Sequence, residues 1–328
     1  MTSTWLTETF NLKLPIIMAP MFLVSNEEML IEAAKNGIMG CIPSLNYKSP
    51  EEFEAGLKRL KEKCPGAFGV NLIVNKSNIH LDSHLKVLEK YPANFVITSL
   101  GSPEETIKRL RPVGTKIMCD VVDTEYAKKV EALGADAVIA VNSGAGGHAG
   151  KIPASILIPM LLETVKIPVI SAGGVGTGRG LLSTLALGAC GVSIGSPFIA
   201  TTESPVSKEY KEACVNFGAS DIVMSNKISG TPCSVIATPY VKKIGTDQNF
   251  LESFLSKNKN AKKYVKMLTY YKGMKAVENA AFAATYKTVW VAGPSIEFIK
   301  KIESVGSIIE RIKNEFDIAQ KEFMQTLK

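Results

Sequence analysis

Short apolar runs alternate with helical patterns eight times between Pro15 and Ile194. Most of the runs are apolar and β-branched along their length, which is typical of parallel strands covered by helices. The predicted strands are Pro15–Ala19, Ile38–Ile42, Phe68–Val74, Asn94–Thr98, Thr115–Cys119, Asp136–Val141, Pro168–Ser171 and Gly191–Ile194. Eight strand–helix units favour an α/β fold of the (β/α)8 TIM-barrel type over an open, doubly wound sheet. No G-x-G-x-x-G follows the first strand, which weakens the dinucleotide-binding alternative.

Several helices between these strands are marked by their first residues. Asn26 is a candidate N-cap for a helix that Gly37 closes. The run Ser49-Pro50-Glu51-Glu52 combines a cap, a proline and an acidic first turn, and Ser102-Pro103-Glu104-Glu105 repeats it. Further helices are predicted over residues 78–91, 123–133, 155–165, 178–187 and 205–217.

The alternating pattern ends after Phe198. Residues 228–246 are predicted to be irregular, and residues 250–287 mainly helical and rich in lysine. We therefore expect residues 1–227 and 288–328 to form the barrel, with 228–287 as a mainly helical insertion or lid near its mouth. The helices after Glu297 would complete the outer ring.

Composition sets the broad class of protein. Hydrophobic residues make up 46% of the 328 residues and charged residues 21%, as expected for a globular chain with a sizeable core. The net charge of +7 is modest and dispersed, so nucleic-acid binding is not expected. The six cysteines form no C-x-x-C pair, which favours a reducing compartment. With no signal-peptide pattern and no apolar run long enough for a bilayer, we expect a cytoplasmic protein without a membrane partner.

The candidate site follows from the barrel, because this fold places its ligands at the carboxyl ends of the strands. Those ends include Ala19, Pro20, Met21, Asn71 and Asp120. The sixth strand is followed by VNSGAGGHAG, which contributes Ser143, Gly146, Gly147 and His148. Glycine lets the backbone approach a flat ligand closely, and a histidine can remove or donate a proton near neutral pH. The plainer alternative is that the glycines make a turn and His148 caps a helix.

Two small-residue loops follow the seventh and eighth strands. They are SAGGVGTG over Ser171–Gly178 and IGSPF over Ile194–Phe198. Backbone N–H groups in such loops bind phosphate, and these two strands are the usual phosphate positions in the fold. The predicted phosphate cup contains Ala172, Gly173, Gly174, Gly195 and Ser196. Close helix–strand packing at the barrel rim is the alternative explanation.

A family resemblance rests on these motifs in combination. The chain reads PIIMAPM at the first strand, GVNL at the third, AGGHAG after the sixth, SAGGVGTG at the seventh and IGSPFIATTES at the eighth. Together they resemble the nitronate monooxygenase family, formerly called 2-nitropropane dioxygenase, which includes the FMN-dependent enoyl-ACP reductase II enzymes. The closing stretch AGPSIEFIKKIESVGSIIERI is similar as well, so the resemblance covers nearly the whole chain.

The resemblance implies an FMN-binding barrel. Ala19, Pro20 and Met21 would line the isoalloxazine ring, and Asn71 would bond its polar edge. The phosphate would be held by Ala172, Gly173, Gly174, Gly195 and Ser196. His148 matches the family's active-site histidine. Further candidates for cofactor contact are Asp120, Ser143, Gly146 and Gly147.

The implied activity is oxidation of small alkyl nitronates by O2 to a carbonyl compound and nitrite. The alternative enzyme is an NAD(P)H-dependent reductase of enoyl thioesters or quinones, and a different class is a flavin-binding protein without turnover. Family reductases often carry an acidic residue where this chain has Gly144, and Gly-Gln where it has Gly293-Pro294. Both departures concern the substrate more than the cofactor. A homodimer is compatible with the sequence.

No metal site is expected. His80 and His84 have the i, i+4 spacing of a metal-binding helix, but no third ligand accompanies them. A solvated helix face is the favoured interpretation of this pair.

Overall fold

The chain forms a closed barrel of eight parallel strands, which confirms the predicted fold class. The computed structural model describes residues 3–75, 78–226, 232–246 and 289–327. With strands numbered along the chain, the barrel consists of β1 (Ile16–Met18), β2 (Met39–Pro43), β3 (Phe68–Ile73), β4 (Phe95–Ser99), β5 (Lys116–Val121), β6 (Ala137–Val141), β8 (Val169–Ala172) and β9 (Gly191–Ile194). The ring closes where β1 pairs with β9, with Ile17 opposite Ser193.

Helices alternate with the strands along the chain, and most of them cover the outside of the ring. In chain order they are α1 (Trp5–Phe10), α2 (Glu27–Lys35), α3 (Pro50–Lys63), α4 (Leu81–Lys90), α5 (Glu104–Leu110), α6 (Thr124–Leu133), α7 (Ala154–Thr164), α8 (Gly178–Ala186), α9 (Lys208–Asn216), α10 (Pro239–Ile244) and α11 (Val305–Thr326). Among the described residues, no helix combines the length and the apolar character that crossing a bilayer requires.

Capping side chains explain most of the helix starts. Asn26, Ser49 and Asp123 each accept a hydrogen bond from a backbone N–H in the first turn of the following helix. The predicted Ser102 start is wrong by one residue, because Pro103 occupies the cap position of α5 without a side-chain cap bond. Similarly, α9 begins at Lys208 behind a Ser207 cap, later than the predicted start at 205.

The aromatic ring of Phe95 fills part of the barrel interior, and it fits there because its neighbour Gly69 has no side chain. Phe95 on β4 is fully buried, and a Cβ atom at Gly69 on β3 would lie 2.3 Å from its ring. Helix α1, which the sequence pattern did not predict, closes the amino-terminal end by adding Leu6 to this cluster. Side chains therefore fill the barrel interior at its amino-terminal end, opposite the end that binds ligands.

The last helix completes the outer ring, as expected for residues after 297. A Cβ atom at Gly178 would lie 2.0 Å from the backbone nitrogen of Phe316, so α8 and α11 meet at backbone contact distance. The Gly178 N–H donates to Glu315 at 2.8 Å. The carboxyl-terminal helix is thus part of the barrel and not an appendage.

A small antiparallel sheet covers the carboxyl-terminal mouth. It consists of β7 (Gly147–His148), β10 (Ile222–Ser225) and β11 (Cys233–Ile236), with β11 in the centre. The prediction of an irregular segment over residues 228–246 is wrong for its described part, which holds β11 and α10. Most of the predicted helical insertion, residues 247–287, lies outside the described residues, so its role as a lid stays a prediction.

The interpretation of His84 as a solvated residue is also wrong. Its side chain is 1% exposed and packs against Phe53 of α3, with 4.9 Å between ring centroids. His80 lies one turn earlier and stacks on His84 at 5.8 Å. Helix α4 therefore turns His84 toward the core, where burial lowers its pKa to about 4.

Candidate functional site

A deep cavity opens at the carboxyl-terminal end of the barrel. Its volume is about 640 Å³, within the range of roughly 300–1,000 Å³ that is typical of small-molecule sites. All eight barrel strands, or the residues directly after them, contribute to its wall. This is the end at which barrels of this type place their ligands.

Nearly all of the predicted site residues meet at this wall. The lining includes Ala19, Pro20, Met21, Asn71, Asp120, Gly146, Gly147, His148, Ala172, Gly173, Gly174, Gly195 and Ser196. Ser143 is the exception, because it is exposed and lies outside the lining. Its N–H donates to the Ile152 carbonyl at 3.0 Å. The strand-end argument thus collects residues from distant parts of the sequence into one cavity.

His148 is held by the small sheet over the mouth. It pairs with Cys233 of β11, and the preceding Gly147 pairs with Ser234. Gly147 has φ +72°, a left-handed conformation that favours glycine, and it brings the loop back over the cavity. The surrounding protein desolvates the imidazole and lowers the pKa of His148 below its ordinary value. The lowered pKa favours the neutral imidazole.

A hydrogen-bonded chain crosses three neighbouring strands on another part of the wall. The Asn71 Nδ2 group donates to Ser99 Oγ at 2.8 Å and to the Ile97 carbonyl at 3.1 Å. Ser99 Oγ in turn donates to Asp120 Oδ2 at 2.5 Å. Burial raises the pKa of Asp120 to about 6, although the Ser99 hydrogen bond acts in the opposite direction.

The loop after β8 contains two glycines in the left-handed conformation, and one of its N–H donors is already used. Gly173 and Gly174 have φ +112° and +77°. The Gly174 N–H donates to the Gly144 carbonyl at 2.9 Å, so it ties the loop after β8 to the loop after β6. Gly174 therefore shapes the cup in this structure, and it does not offer its N–H to a ligand.

The loop after β9 keeps its donors. Within the described residues, the backbone N–H groups of Gly195 and Ser196 donate to no protein acceptor. The Ser196 hydroxyl accepts the Gly293 N–H at 2.8 Å. A Cβ atom at Gly146 would lie 2.7 Å from the Gly293 nitrogen. The three loops that carry Gly146, Ser196 and Gly293 are therefore packed at backbone contact distance around the predicted phosphate end.

Several residues of the cavity wall were not predicted as site residues. They include Tyr126, Tyr210 and Cys233. Tyr126 donates its hydroxyl hydrogen to the Gly101 carbonyl, and Tyr210 donates to the Val291 carbonyl at 2.5 Å while stacking on Trp290. Ser99, at the end of the fourth strand, also lines the wall, as the position of strand ends predicts. The other three lie on helices or on β11, where strand ends are no guide.

Comparison with known proteins gives matches along most of the chain. The family model for nitronate monooxygenase matches residues 77–315. A curated 5-hydroxy-7a-methyl-1-oxo-octahydro-1H-indene-4-carboxyl-CoA dehydrogenase of Rhodococcus jostii is 30% identical over 264 residues, which cover 80% of this chain and 74% of the relative. A curated "probable nitronate monooxygenase" of Staphylococcus saprophyticus is 30% identical over 74% of this chain and 81% of the relative.

Two solved structures are similar over almost their whole length. FabK from Thermotoga maritima superposes with a TM-score of 0.87 at 28% identity and covers 99% of this chain and 100% of its own. A nitroalkane oxidase from Streptomyces ansochromogenes gives 0.81 at 26% identity, with coverage of 97% and 99%.

Proposed function

Because the chain belongs to the nitronate monooxygenase family, we propose that it is an FMN-dependent oxidoreductase which uses O2 to convert alkyl nitronates into carbonyl compounds and nitrite. The observation that carries the proposal is the position of His148. It is clamped by strand pairing at the mouth of the same cavity that the glycine loops and Asn71 line.

The residues of the wall fit FMN by their chemistry. Gly195 and Ser196 offer backbone donors for a phosphate at one end of the cavity. Both hydrogens of the Asn71 amide are used within the protein, so its oxygen is the atom left to accept a ligand N–H. Ala19, Met21 and Ile139 give an apolar wall against which a flat ring can pack. When bound, FMN would supply the redox chemistry, while the protein supplies position and electrostatics.

His148 is the acid–base group of this proposal. A neutral imidazole can take a proton from the α-carbon of a nitroalkane, which produces the nitronate. Once it is protonated, the same ring can donate to a nitronate oxygen and orient the anion. The small sheet fixes the His148 backbone, so the imidazole reaches the cavity from a fixed point.

The second candidate is an NAD(P)H-dependent reductase or a dehydrogenase of acyl thioesters. It is favoured by the similarity to FabK and to the carboxyl-CoA dehydrogenase. Apolar side chains at the cavity, among them Phe22, Leu45, Leu100 and Val122, would also suit a longer apolar substrate.

Anaerobic mixing separates the two candidates. The purified protein, loaded with FMN, is mixed in turn with an alkyl nitronate, NADH and NADPH while the flavin absorbance is followed. The proposal expects bleaching by the nitronate, followed by nitrite release when O2 is admitted. Bleaching by NADH or NADPH together with no response to nitronate would establish the reductase instead. A protein that takes up no FMN would exclude both.

A further inference from the structure

Asp120 is half-buried at the wall of the cavity, and no cation among the described residues pairs with it. Burial and the Ser99 hydrogen bond are the only influences on its pKa among the described residues. The titratable groups that sense its charge are the thiols of Cys41 and Cys119 and the phenol of Tyr126, on β2, β5 and α6. All three are neutral near pH 7, because burial raises their pKa values. The carboxylate therefore relies on Ser99 for its stabilisation.

The hydrogen bonds from Asn71 to Asp120 can run in only one direction while Asp120 is ionised. A carboxylate has acceptor atoms only, so the single hydroxyl hydrogen of Ser99 must point to Asp120 Oδ2. Ser99 Oγ can then only accept from Asn71. Because the Ile97 carbonyl takes the second hydrogen of the Asn71 amide, the amide oxygen is left for the cavity. The short Ser99–Asp120 bond is of the charge-assisted kind, which is about twice as strong as a neutral one.

We propose that Asp120 is a positioning residue, which acts through Ser99 to fix Asn71 as a hydrogen-bond acceptor toward a bound flavin. This inference rests on the proposed function, since it takes a flavin as the occupant of the cavity. Asp120 and Ser99 then affect flavin binding without contacting the flavin themselves.

Protonation of Asp120 would loosen this arrangement. The neutral acid can donate its own hydrogen to Ser99 Oγ, and the Ser99 hydrogen is then free to turn toward Asn71. Two donors would face each other there, so only the Ile97 carbonyl would continue to hold the Asn71 amide. Flavin affinity should therefore rise as the pH increases through the pKa of Asp120, which lies at about 6.

Riboflavin and FMN are both needed as probes. A phosphate monoester has its second pKa near 6, so the FMN phosphate alone could make binding pH-dependent, whereas riboflavin has no such group. Dissociation constants of both are measured by fluorescence quenching from about pH 5 to about pH 8. For the wild type, riboflavin should bind about threefold to tenfold more tightly at the upper end, as expected for one buried hydrogen bond.

The test variant is Asp120→Asn, which keeps the shape of the side chain and removes its ionisation. It should bind riboflavin with an affinity that does not change with pH and that lies near the acidic value of the wild type. Asp123→Asn is the matched control, because Asp123 caps α6 through Tyr126 N–H and asparagine caps equally well. It should keep the wild-type pH dependence.

Ser99 supplies an independent test. Ser99→Ala removes the link between Asp120 and Asn71, so the pH dependence of riboflavin affinity should disappear and binding should weaken throughout. Ser99→Thr retains a hydroxyl group and should keep the wild-type pH dependence. If the wild type binds both flavins and its riboflavin affinity is flat across the range, or if Asp120→Asn keeps the dependence, the inference is wrong and the proposed function stands. A wild type that binds neither flavin overturns both.

Discussion

Cys233 lies directly opposite His148 on a neighbouring antiparallel strand, and both residues line the cavity. The same central strand pairs with β10 on its other side, where Ser225 lies opposite Cys233. The backbone of His148 is therefore fixed by pairing with a segment far along the chain, independently of its imidazole. The ring can consequently be removed without removing the frame that carries it.

His148→Ala should keep FMN bound, because Asn71 and the glycine loops, not the imidazole, are expected to hold it. Loss of a positioned proton-transfer group costs about 10²- to 10⁴-fold in rate. A neutral nitroalkane must lose its α-proton, so its reaction should show the full loss. A nitronate has already lost that proton and should show a milder one. Rates of anaerobic flavin reduction with the two substrates measure the ratio, and equal, unchanged rates would remove His148 from the mechanism.

Gly174→Asp and Gly174→Asn form a matched pair for locating the phosphate. Both carry the same backbone strain at φ +77°, where Asn and Asp are the best tolerated replacements. A Cβ atom there has room, with its nearest neighbour 3.9 Å away at Gly144. Only the aspartate adds a charge, which should cost a few kcal/mol of FMN affinity in a partly desolvated site. The two variants should bind riboflavin alike, and equal FMN affinities would place the phosphate elsewhere.

His84→Leu should reduce the loss of unfolding free energy that accompanies a fall in pH below about 6.5. The pKa of His84 is about 4 in the folded protein against 6.5 for its ordinary value, so the unfolded chain binds the proton more readily. The contribution of neutral His84 to the free energy of unfolding is complete above about pH 6.5. It is lost as the pH falls toward 4, by roughly 3 kcal/mol in all.

Urea unfolding of both proteins across this pH range provides the measurement. Asp120, whose pKa is raised, gives the opposite slope in wild type and variant alike, so their difference isolates His84. His80→Gln should keep most of the acid loss, because burial is the larger cause of the shift. Parallel curves for wild type and His84→Leu would contradict the assignment.

Gly69→Ala should destabilise the barrel by about 1–3 kcal/mol, because its methyl group would meet the Phe95 ring at 2.3 Å. In a Phe95→Leu background the same change should cost clearly less, since the two sites share one space. Gly66→Ala is the control, because its added methyl group would make an ordinary contact with Ala34 at 3.4 Å. Urea midpoints of the wild type, Gly69→Ala, Phe95→Leu and the double variant give the coupling, and additive losses would show that Phe95 is not the obstacle.

The sequence predicts the barrel well because strand periodicity and helix caps are local properties. The bounds of β3 differ from the predicted strand by one residue, and Asn26, Ser49 and Asp123 cap helices as their side chains suggest. The second sheet could not be predicted in this way. The pairing of β11 with Gly147–His148 joins distant segments, and a two-residue strand has no period to detect.

The same division applies to the candidate site. Strand ends bring Asn71 and Asp120 to one wall, but the role of Ser99 depends on how β4 aligns with its two neighbours. The orientation of His84 depends on Phe53 from a different helix. Gly174 lies in the predicted cup, yet its N–H is taken by Gly144 across a loop contact that no local pattern encodes.

The closed amino-terminal end of the barrel bears on the order of events during turnover. Because α1 adds Leu6 to the packed interior, molecules reach the cavity from the opposite end. The electron-donating substrate and the electron acceptor must then enter through the same opening. In the proposed reaction nitrite is released only after O2 has reacted, so O2 has to enter while the nitronate still occupies the cavity, and initial-rate data should give the intersecting double-reciprocal lines of a sequential mechanism.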